Sequence, residues 1–166
     1  MPIHFEDLDV ASEVEGLRSA LIVPCNLCPA VTVAARENRP FMRIFESPLK
    51  SSPFEGYLAT LRSQLSEKGV RTEVFRSNLY HQWFMCMWTS RRRKKLGRAA
   101  EHYDAVIVLG CDSATETVRS EVPADVKIVE GMTVAGIMNG RMSFRGAGSL
   151  SFDDCRVVPI SRKSVA

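Results

Sequence analysis

The sequence predicts an α/β protein, and three patterns along the chain indicate this class. Short apolar runs alternate with segments of helical periodicity. The run Ala105–Leu109 is continuous, apolar and largely β-branched, as a strand covered on both faces requires. Near the end of the chain, two alternating segments flank Gly146 and Gly148, which is typical of a hairpin. We therefore expect a three-layer, flavodoxin-like or Rossmann-like fold with a mainly parallel sheet and an antiparallel C-terminal addition.

The first part of the chain is expected to supply one strand and one helix of this fold. Residues 1–16 are acidic and indicate an arm or a short helix, before a short apolar strand at 19–23. A helix is expected at 29–36, because Pro29 suits a first helical turn. The proline-broken segment that follows predicts a loop with a short strand at 41–45.

The clearest helix is expected at 53–68. Ser52 and Glu55 have the spacing of a capping box, with Pro53 in the first turn. Gly69 is a typical helix stop. The apolar residues recur at helical spacing: Phe54, Tyr57, Leu58, Leu61 and Leu65.

A strand at 71–75 and a basic helix are expected next. Thr89 or Ser90 would cap the basic helix, which is expected to run to about Tyr103. Its expected buried face consists of Leu96, Ala99, Ala100 and Tyr103.

The last third begins with the strongest strand, Ala105–Leu109. Ser113 and Glu116 then predict a second capping box, for a short helix. A fourth strand is expected at 126–129, followed by the antiparallel tail at 140–166.

Composition indicates an ordinary globular protein of 166 residues, which we expect to form a single domain over 1–166. Hydrophobic residues make up 45% and charged residues 25%, and no apolar run approaches the roughly 20 residues of a membrane span. The acidic N-terminus has no basic start and no apolar core of a signal peptide, so a cytoplasmic location is expected. In that compartment, five cysteines are typical of ligands or catalysts rather than disulfides.

The net charge is only +3, but the basic residues are concentrated in one helix. Such a run is typical either of a solvated helix face or of a surface that docks an acidic partner. Nucleic acid is disfavoured, because no stacking aromatics interleave the charges and no recognition motif accompanies them. We expect these side chains to face outward and some to contact a protein partner: Arg91, Arg92, Arg93, Lys94, Lys95 and Arg98.

Four cysteines lie where an α/β fold would bring them together. Cys25 and Cys28 form a CxxC after one apolar run, and Cys111 follows another. Cys86 lies between them, after a third candidate strand. Loops after parallel strands share one edge of the sheet, where ligands bind in open α/β folds. Four thiolates match the ligand set of a [4Fe–4S] cluster or of a tetrahedral zinc.

The surroundings of Cys86 favour the cluster, because aromatic and methionine neighbours would exclude water and tune its potential. Those neighbours are Trp83, Phe84, Met85, Met87 and Trp88. Zinc remains the second choice. His81 is an alternative to one thiolate, and Cys155 is an alternative to Cys86 or a free thiol.

A thioredoxin-like dithiol oxidoreductase, acting through Cys25 and Cys28, is the competing hypothesis, because a strand–CxxC–helix arrangement is common to both. The additional strand-end cysteines have no role in it. No phosphate-loop motif and no defined carboxylate or histidine pair is present. We therefore assign no catalytic residue.

Several segments together resemble a known family: ALIVPCNLCPAVTVAARENRP, LRSQLSEKGVRTEVF, Cys86 and YDAVIVLGCDSATETV. Their order over residues 19–120 resembles the zinc- or cluster-binding partner subunit of methylenetetrahydrofolate reductases in anaerobes. The same module occurs as a C-terminal domain fused to such reductases. The resemblance assigns Cys25 and Cys28 to the family's first cysteine-bearing turn, Cys86 to its middle cysteine and Cys111 to its later strand end.

The resemblance implies a metal-bearing accessory subunit of an anaerobic redox or one-carbon complex. The chain shows no reductase barrel, so the catalytic centre is expected elsewhere. The family's cysteine-rich C-terminal segment is also lacking here, where only Cys155 remains.

Overall fold

Two four-stranded sheets form the protein in a computed structural model that describes residues 2–46, 50–76, 84–146 and 148–160. One sheet is parallel and the other antiparallel. The α/β class is therefore confirmed, and the expected parallel sheet is present. The antiparallel part differs from the prediction, because it is a separate sheet and not an extension of the first.

The parallel sheet consists of β2 (Ser19–Pro24), β4 (Arg71–Val74), β5 (Ala105–Leu109) and β6 (Lys127–Glu130). Their order across the sheet is β4-β2-β5-β6. Both β2 and β5 are buried throughout, which explains why their sequences are continuous apolar runs rather than alternating ones.

Helices cover both faces of the parallel sheet, because successive residues of a strand point to opposite sides. On one face, alternate strand residues such as Ile22 and Ile107 pack with α2 (Cys28–Arg36) and α3 (Ser52–Glu67). On the other face, the intervening residues pack with two further helices. These are α4 (Ser90–Ala100), which follows the 3₁₀ turn Met85–Met87, and α5 (Asp112–Arg119).

The antiparallel sheet is built from three distant parts of the chain. It has the order β1 (Ile3–Asp7), β7 (Met132–Arg145), β8 (Ser149–Pro159) and β3 (Met42–Arg43). The expected tail at 140–166 thus begins too late, since its first strand starts at Met132.

Residues 1–16, expected to form an arm or a short helix, contain a short helix and also a strand that was not predicted. They form the edge strand β1 and a one-turn helix, α1 (Val10–Glu13). Phe5 of β1 is 1% exposed and opposite Val134 of β7, so its burial draws an otherwise acidic segment into the sheet.

The helix ends differ from the predicted caps. Helix α3 begins at Ser52, so the N-cap is Ser51, and Glu55 pairs with Arg76 at 2.7 Å instead of closing a capping box. The capping box at Ser113 and Glu116 is likewise absent, because α5 begins at Asp112 and places Ser113 inside the helix.

Helix α4 does begin after Thr89, as expected, but it ends at Ala100 instead of near Tyr103. Within the described ranges, no helix has both the length and the apolar character needed to cross a bilayer.

Candidate metal centre

The carboxyl ends of β2 and β5 bring two of the predicted cysteine loops to one edge of the parallel sheet. Cys25 directly follows β2, and its amide donates a 2.9 Å hydrogen bond to the carbonyl of Leu109, the last residue of β5. Gly110 then leads to Cys111. The two loops are therefore joined by the sheet's own hydrogen bonding.

Two of the cysteines begin helices at this edge. Cys28 is the first residue of α2, and Cys111 is the N-cap of α5. The carbonyl of Cys111 accepts hydrogen bonds from Ala114 and Thr115, at 2.7 and 3.0 Å. The N-terminal end of a helix carries a positive potential, which stabilises a thiolate or an anionic metal–thiolate centre nearby.

The third loop reaches the same place through the 3₁₀ turn. Met85 is fully buried, and its backbone N–H donates to the sulfur of Cys25, as does that of Leu27. Cys86 follows Met85 but is exposed. The turn therefore lies against the first cysteine loop, with the Cys86 residue at the solvent side.

Burial governs the acidity of the two CxxC thiols, and charge on the other cysteines adds a smaller effect. Cys25 is 9% exposed, and burial raises its pKa to about 11; negative charge on Cys28 or Cys111 would raise it further. Burial also raises the pKa of Cys28, opposed by a hydrogen bond from the N–H of Ile3. Charge on Cys111 or Cys86 adds to that increase. Each of these two thiols would therefore lose its proton less readily if a neighbouring cysteine were already a thiolate.

The side chains do not converge on a single point in this structure. Among the described residues, no group of three or more His, Cys, Asp or Glu side chains is arranged to hold a metal ion. None of the five cysteines, all of which are described, forms a disulfide. The donor chemistry and location fit a thiolate-bound metal, whereas the coordination geometry is not formed.

The alternative ligands have different positions. Cys155 lies in β8, its Sγ donates to the carbonyl of Phe152 at 3.5 Å, and its pKa is raised by burial and then by Asp153 and Asp154. Cys155 therefore belongs to the antiparallel sheet, whereas the other four cysteines lie outside it. His81 lies outside the described residues, as does Trp83.

The predicted apolar surroundings of the site are present in part. Met85, Trp88 and Phe75 are buried in one cluster with Cys25. Phe84 and Met87 are exposed instead. The apolar environment therefore surrounds Cys25, while Phe84 and Met87, on either side of Met85 and Cys86, face solvent.

The prediction for Arg92 is wrong, because this side chain does not face outward. Arg92 is 6% exposed, and its guanidinium carbon lies 4.0 Å from the centre of the Trp88 ring and 5.7 Å from that of Phe75. Burial lowers its pKa to about 10. Helical spacing contained the signal, since Arg92, Leu96 and Ala100 are four residues apart and share one face.

The rest of the basic run is more exposed. Arg91, Lys94, Lys95 and Arg98 are solvent-exposed, while Arg93 is half-buried and donates to the carbonyl of Trp88 at 3.3 Å. Four cationic side chains therefore remain available to a partner on the outer face of α4.

Comparison of the chain with protein-family models, with curated proteins and with solved structures finds no match.

Proposed function

We propose that the protein is a metal-binding accessory subunit in which Cys25, Cys28, Cys86 and Cys111 bind one iron–sulfur cluster. It would serve electron transfer in an anaerobic redox or one-carbon complex, as the resemblance to the partner subunit of methylenetetrahydrofolate reductases implies. The observation that supports this proposal best is that the loops carrying Cys25 and Cys111 are joined at the carboxyl edge of the parallel sheet, where the Cys25 amide donates to the carbonyl of Leu109.

The chain's own groups suit a thiolate centre there. The backbone N–H groups of Met85 and Leu27 donate to the Cys25 sulfur, and that of Ile3 donates to Cys28. Hydrogen bonds of this kind stabilise sulfur-bound negative charge and tune the potential of iron–sulfur centres. A bound cluster would supply one-electron transfer, whereas zinc with the same ligands would supply a structural crosslink.

The apolar surroundings favour a cluster over zinc as the first choice. Phe75, Met85 and Trp88 exclude water from the inner side of Cys25. The exposed position of Cys86 provides an outer side through which electrons would pass to a partner. In the proposed site, Cys86 would supply the outermost of the four thiolates.

A dithiol oxidoreductase receives less support. Its first CxxC cysteine should be accessible and acidic. Cys25 is instead buried, with its pKa raised to about 11.

We further propose that the exposed cations of α4 dock an acidic partner subunit: Arg91, Lys94, Lys95 and Arg98. Exposed charges of one sign on one helix face steer association more than they hold a complex together. A flavodoxin-like classification is also proposed for the parallel sheet, because its strands follow the order 2-1-3-4 when they alone are numbered along the chain.

Metal analysis of anaerobically purified protein tests the proposal. We expect iron with acid-labile sulfide, about four of each per chain for one [4Fe–4S] cluster. If the analysis finds zinc and no sulfide, the site is a structural zinc site and not an iron–sulfur cluster. A metal-free protein with a reversible Cys25–Cys28 disulfide would overturn the proposal in favour of the dithiol enzyme.

Two serine variants provide the matched comparison. Cys25→Ser should lose most of the bound metal, because the lost thiolate leaves the ligand set incomplete. Cys155→Ser should retain it, since Cys155 lies in the antiparallel sheet. Equal loss in both variants, with folding preserved by circular dichroism, would show that the four-cysteine assignment is wrong.

A further inference from the structure

The first turn of α4 has the opposite charge from that expected of a helix beginning. Acidic side chains are favoured there because the unpaired N–H groups produce a positive potential. The first turn of α4 contains no acidic residue. It consists of Ser90, Arg91, Arg92 and Arg93. The Thr89 side chain also makes no capping hydrogen bond. Several positive groups are therefore placed together without a negative one.

Arg92 is the least favourable of these positive charges, because its side chain is buried. Its Nε and Nη1 atoms have no hydrogen-bond partner among the described residues, and neither does Nε1 of the adjacent Trp88. The faces of Trp88 and Phe75 attract the cation, but they supply no acceptor to the Nε and Nη1 groups of the guanidinium. A buried charge of this kind is costly unless a partner compensates it.

No Asp or Glu side chain takes that role. No ion pair of Arg92 is present within the described ranges, where nine other ion pairs occur. All 19 Asp and Glu residues of the sequence lie in those ranges, so the remaining segments contain no acidic side chain. No Asp or Glu side chain of the protein therefore neutralises Arg92.

The location is one at which α/β proteins bind ligands. Phe75 directly follows β4, and its amide donates to the carbonyl of Ile22 at 2.8 Å. The amide of Trp88 donates to Met85, whose own amide contacts Cys25. The N-terminal end of α4 thus belongs to the carboxyl edge of the parallel sheet, where loops and helix ends form binding crevices.

We propose that Arg92, Trp88 Nε1 and the N–H groups of Ser90 and Arg91, at the start of α4, bind a phosphate group; the N–H groups of Arg92 and Arg93 already donate to the carbonyl of Thr89. A helix N-terminus with an arginine is suited to a tetrahedral dianion, which would neutralise the cluster of positive charge. This site is distinct from the four thiols and does not depend on a bound metal. The phosphate belongs either to free inorganic phosphate or to a phosphate ester.

Thermal unfolding of the purified protein tests the proposal, with inorganic phosphate as the probe and sodium chloride at equal ionic strength as the reference. At ten times the dissociation constant, bound phosphate should raise Tm by about 3–6 °C. The shift should saturate with concentration, unlike a general salt effect. Glycerol 2-phosphate distinguishes the sources, because a phosphate ester ligand predicts a half-maximal shift at lower concentration than inorganic phosphate does.

Arg92→Met removes the charge but keeps an apolar side chain against Trp88 and Phe75, so it should abolish the phosphate shift. Lys95→Met removes an exposed cation from the same helix and should keep the shift. If Arg92→Met does not fold, Arg92→Lys serves instead and should weaken phosphate binding at least tenfold, since lysine lacks the planar donor edge.

Three outcomes would overturn the proposal. Wild-type protein that responds equally to phosphate and chloride has no such site. An unchanged phosphate shift in Arg92→Met would place the site elsewhere. A shift of equal size with sodium acetate would identify a carboxylate as the ligand. Iron, zinc and sulfide contents of each variant are measured in parallel, so loss of metal is separated from loss of phosphate binding.

Discussion

The amide of Cys25 donates a 2.9 Å hydrogen bond to the carbonyl of Leu109. This bond continues the pairing of β2 with β5 one residue beyond the end of β2. It joins the CxxC loop to the loop that carries Cys111, so the geometry of the thiol site depends on how closely these two loops pack.

Gly110 controls that packing. A Cβ at this position would lie 2.6 Å from the Cβ of Ala114 and 3.4 Å from that of Cys25. Gly110→Ala should therefore push α5 from the sheet and lower the free energy of unfolding by about 1–3 kcal/mol. Chemical denaturation measures the loss, and metal content should fall with it.

Gly56→Ala is the matched control, because a Cβ at Gly56 meets nothing within 4 Å and lies inside α3. It should raise the free energy of unfolding by about 0.5–1 kcal/mol. If the two variants have similar stability, the close approach at Gly110 does not hold.

Substitution of Phe5 tests whether the N-terminal segment contributes to the stability of the fold. It is 1% exposed, in β1, so Phe5→Ala should reduce the free energy of unfolding by about 3–5 kcal/mol through lost burial and an unfilled cavity. Phe144→Ala, on β7 of the same sheet, removes a side chain that is 66% exposed and should change stability by less than about 0.5 kcal/mol. If the two variants lose the same stability in urea denaturation, residues 1–16 do not pack as described and form a loose arm.

The hydrogen bonds of the Asp104 carboxylate should make the stability of the protein depend on pH. Its carboxylate accepts hydrogen bonds from the N–H groups of Arg18 and Ser19, each at 2.9 Å, and these bonds lower its pKa below the usual 3.8. Because the folded pKa is lower than the unfolded one, the stabilisation is present above about pH 4 and is lost as pH falls through the folded pKa. Asp104→Asn should therefore have a lower Tm than wild type at pH 7, and the difference should shrink below pH 4.

Tm values measured from pH 3 to 7 for both proteins test this directly. A difference that stays constant over the whole range would mean that ionisation of Asp104 contributes nothing. Metal content at pH 7 should be unchanged in the variant, since Asp104 precedes β5 and lies at the edge of the sheet opposite the cysteines.

The partner proposal is tested on the outer face of α4. Lys95→Glu with Arg98→Glu reverses two exposed charges and should weaken assembly with the native partner by at least tenfold, because charge steering becomes repulsion. Size-exclusion chromatography of the native complex, at low and high salt, measures the change. Bound metal should remain at the wild-type level.

Arg62→Glu with Lys68→Glu provides a control of equal charge change, on α3 and its C-cap and away from the basic face. It should assemble normally. Unchanged assembly of the α4 variant would mean that its cations form only a solvated helix surface.

Local patterns were sufficient to predict the parallel sheet and the positions of its cysteines. The apolar runs at β2 and β5 are long and buried on both faces, so their sequences differ from every amphipathic segment of the chain. Once those strands are parallel, Cys25 and Cys111 must lie at the same edge. The topology alone therefore accounts for their proximity.

Only the tertiary structure decided that the predicted hairpin joins β1 and β3 in a separate sheet, where the helix caps lie, and that the rings of Phe75 and Trp88 cover Arg92. Phe5 pairs with Val134 across most of the chain, and no short window of sequence contains such a partnership. Glu55 is drawn from its expected cap by Arg76, which arrives from the loop after β4. The charge of Arg92 indicates solvent, whereas its helical position beside Leu96 and the rings of Phe75 and Trp88 bury it. In each case, contacts between distant segments override a local preference that is weaker than the packing energy.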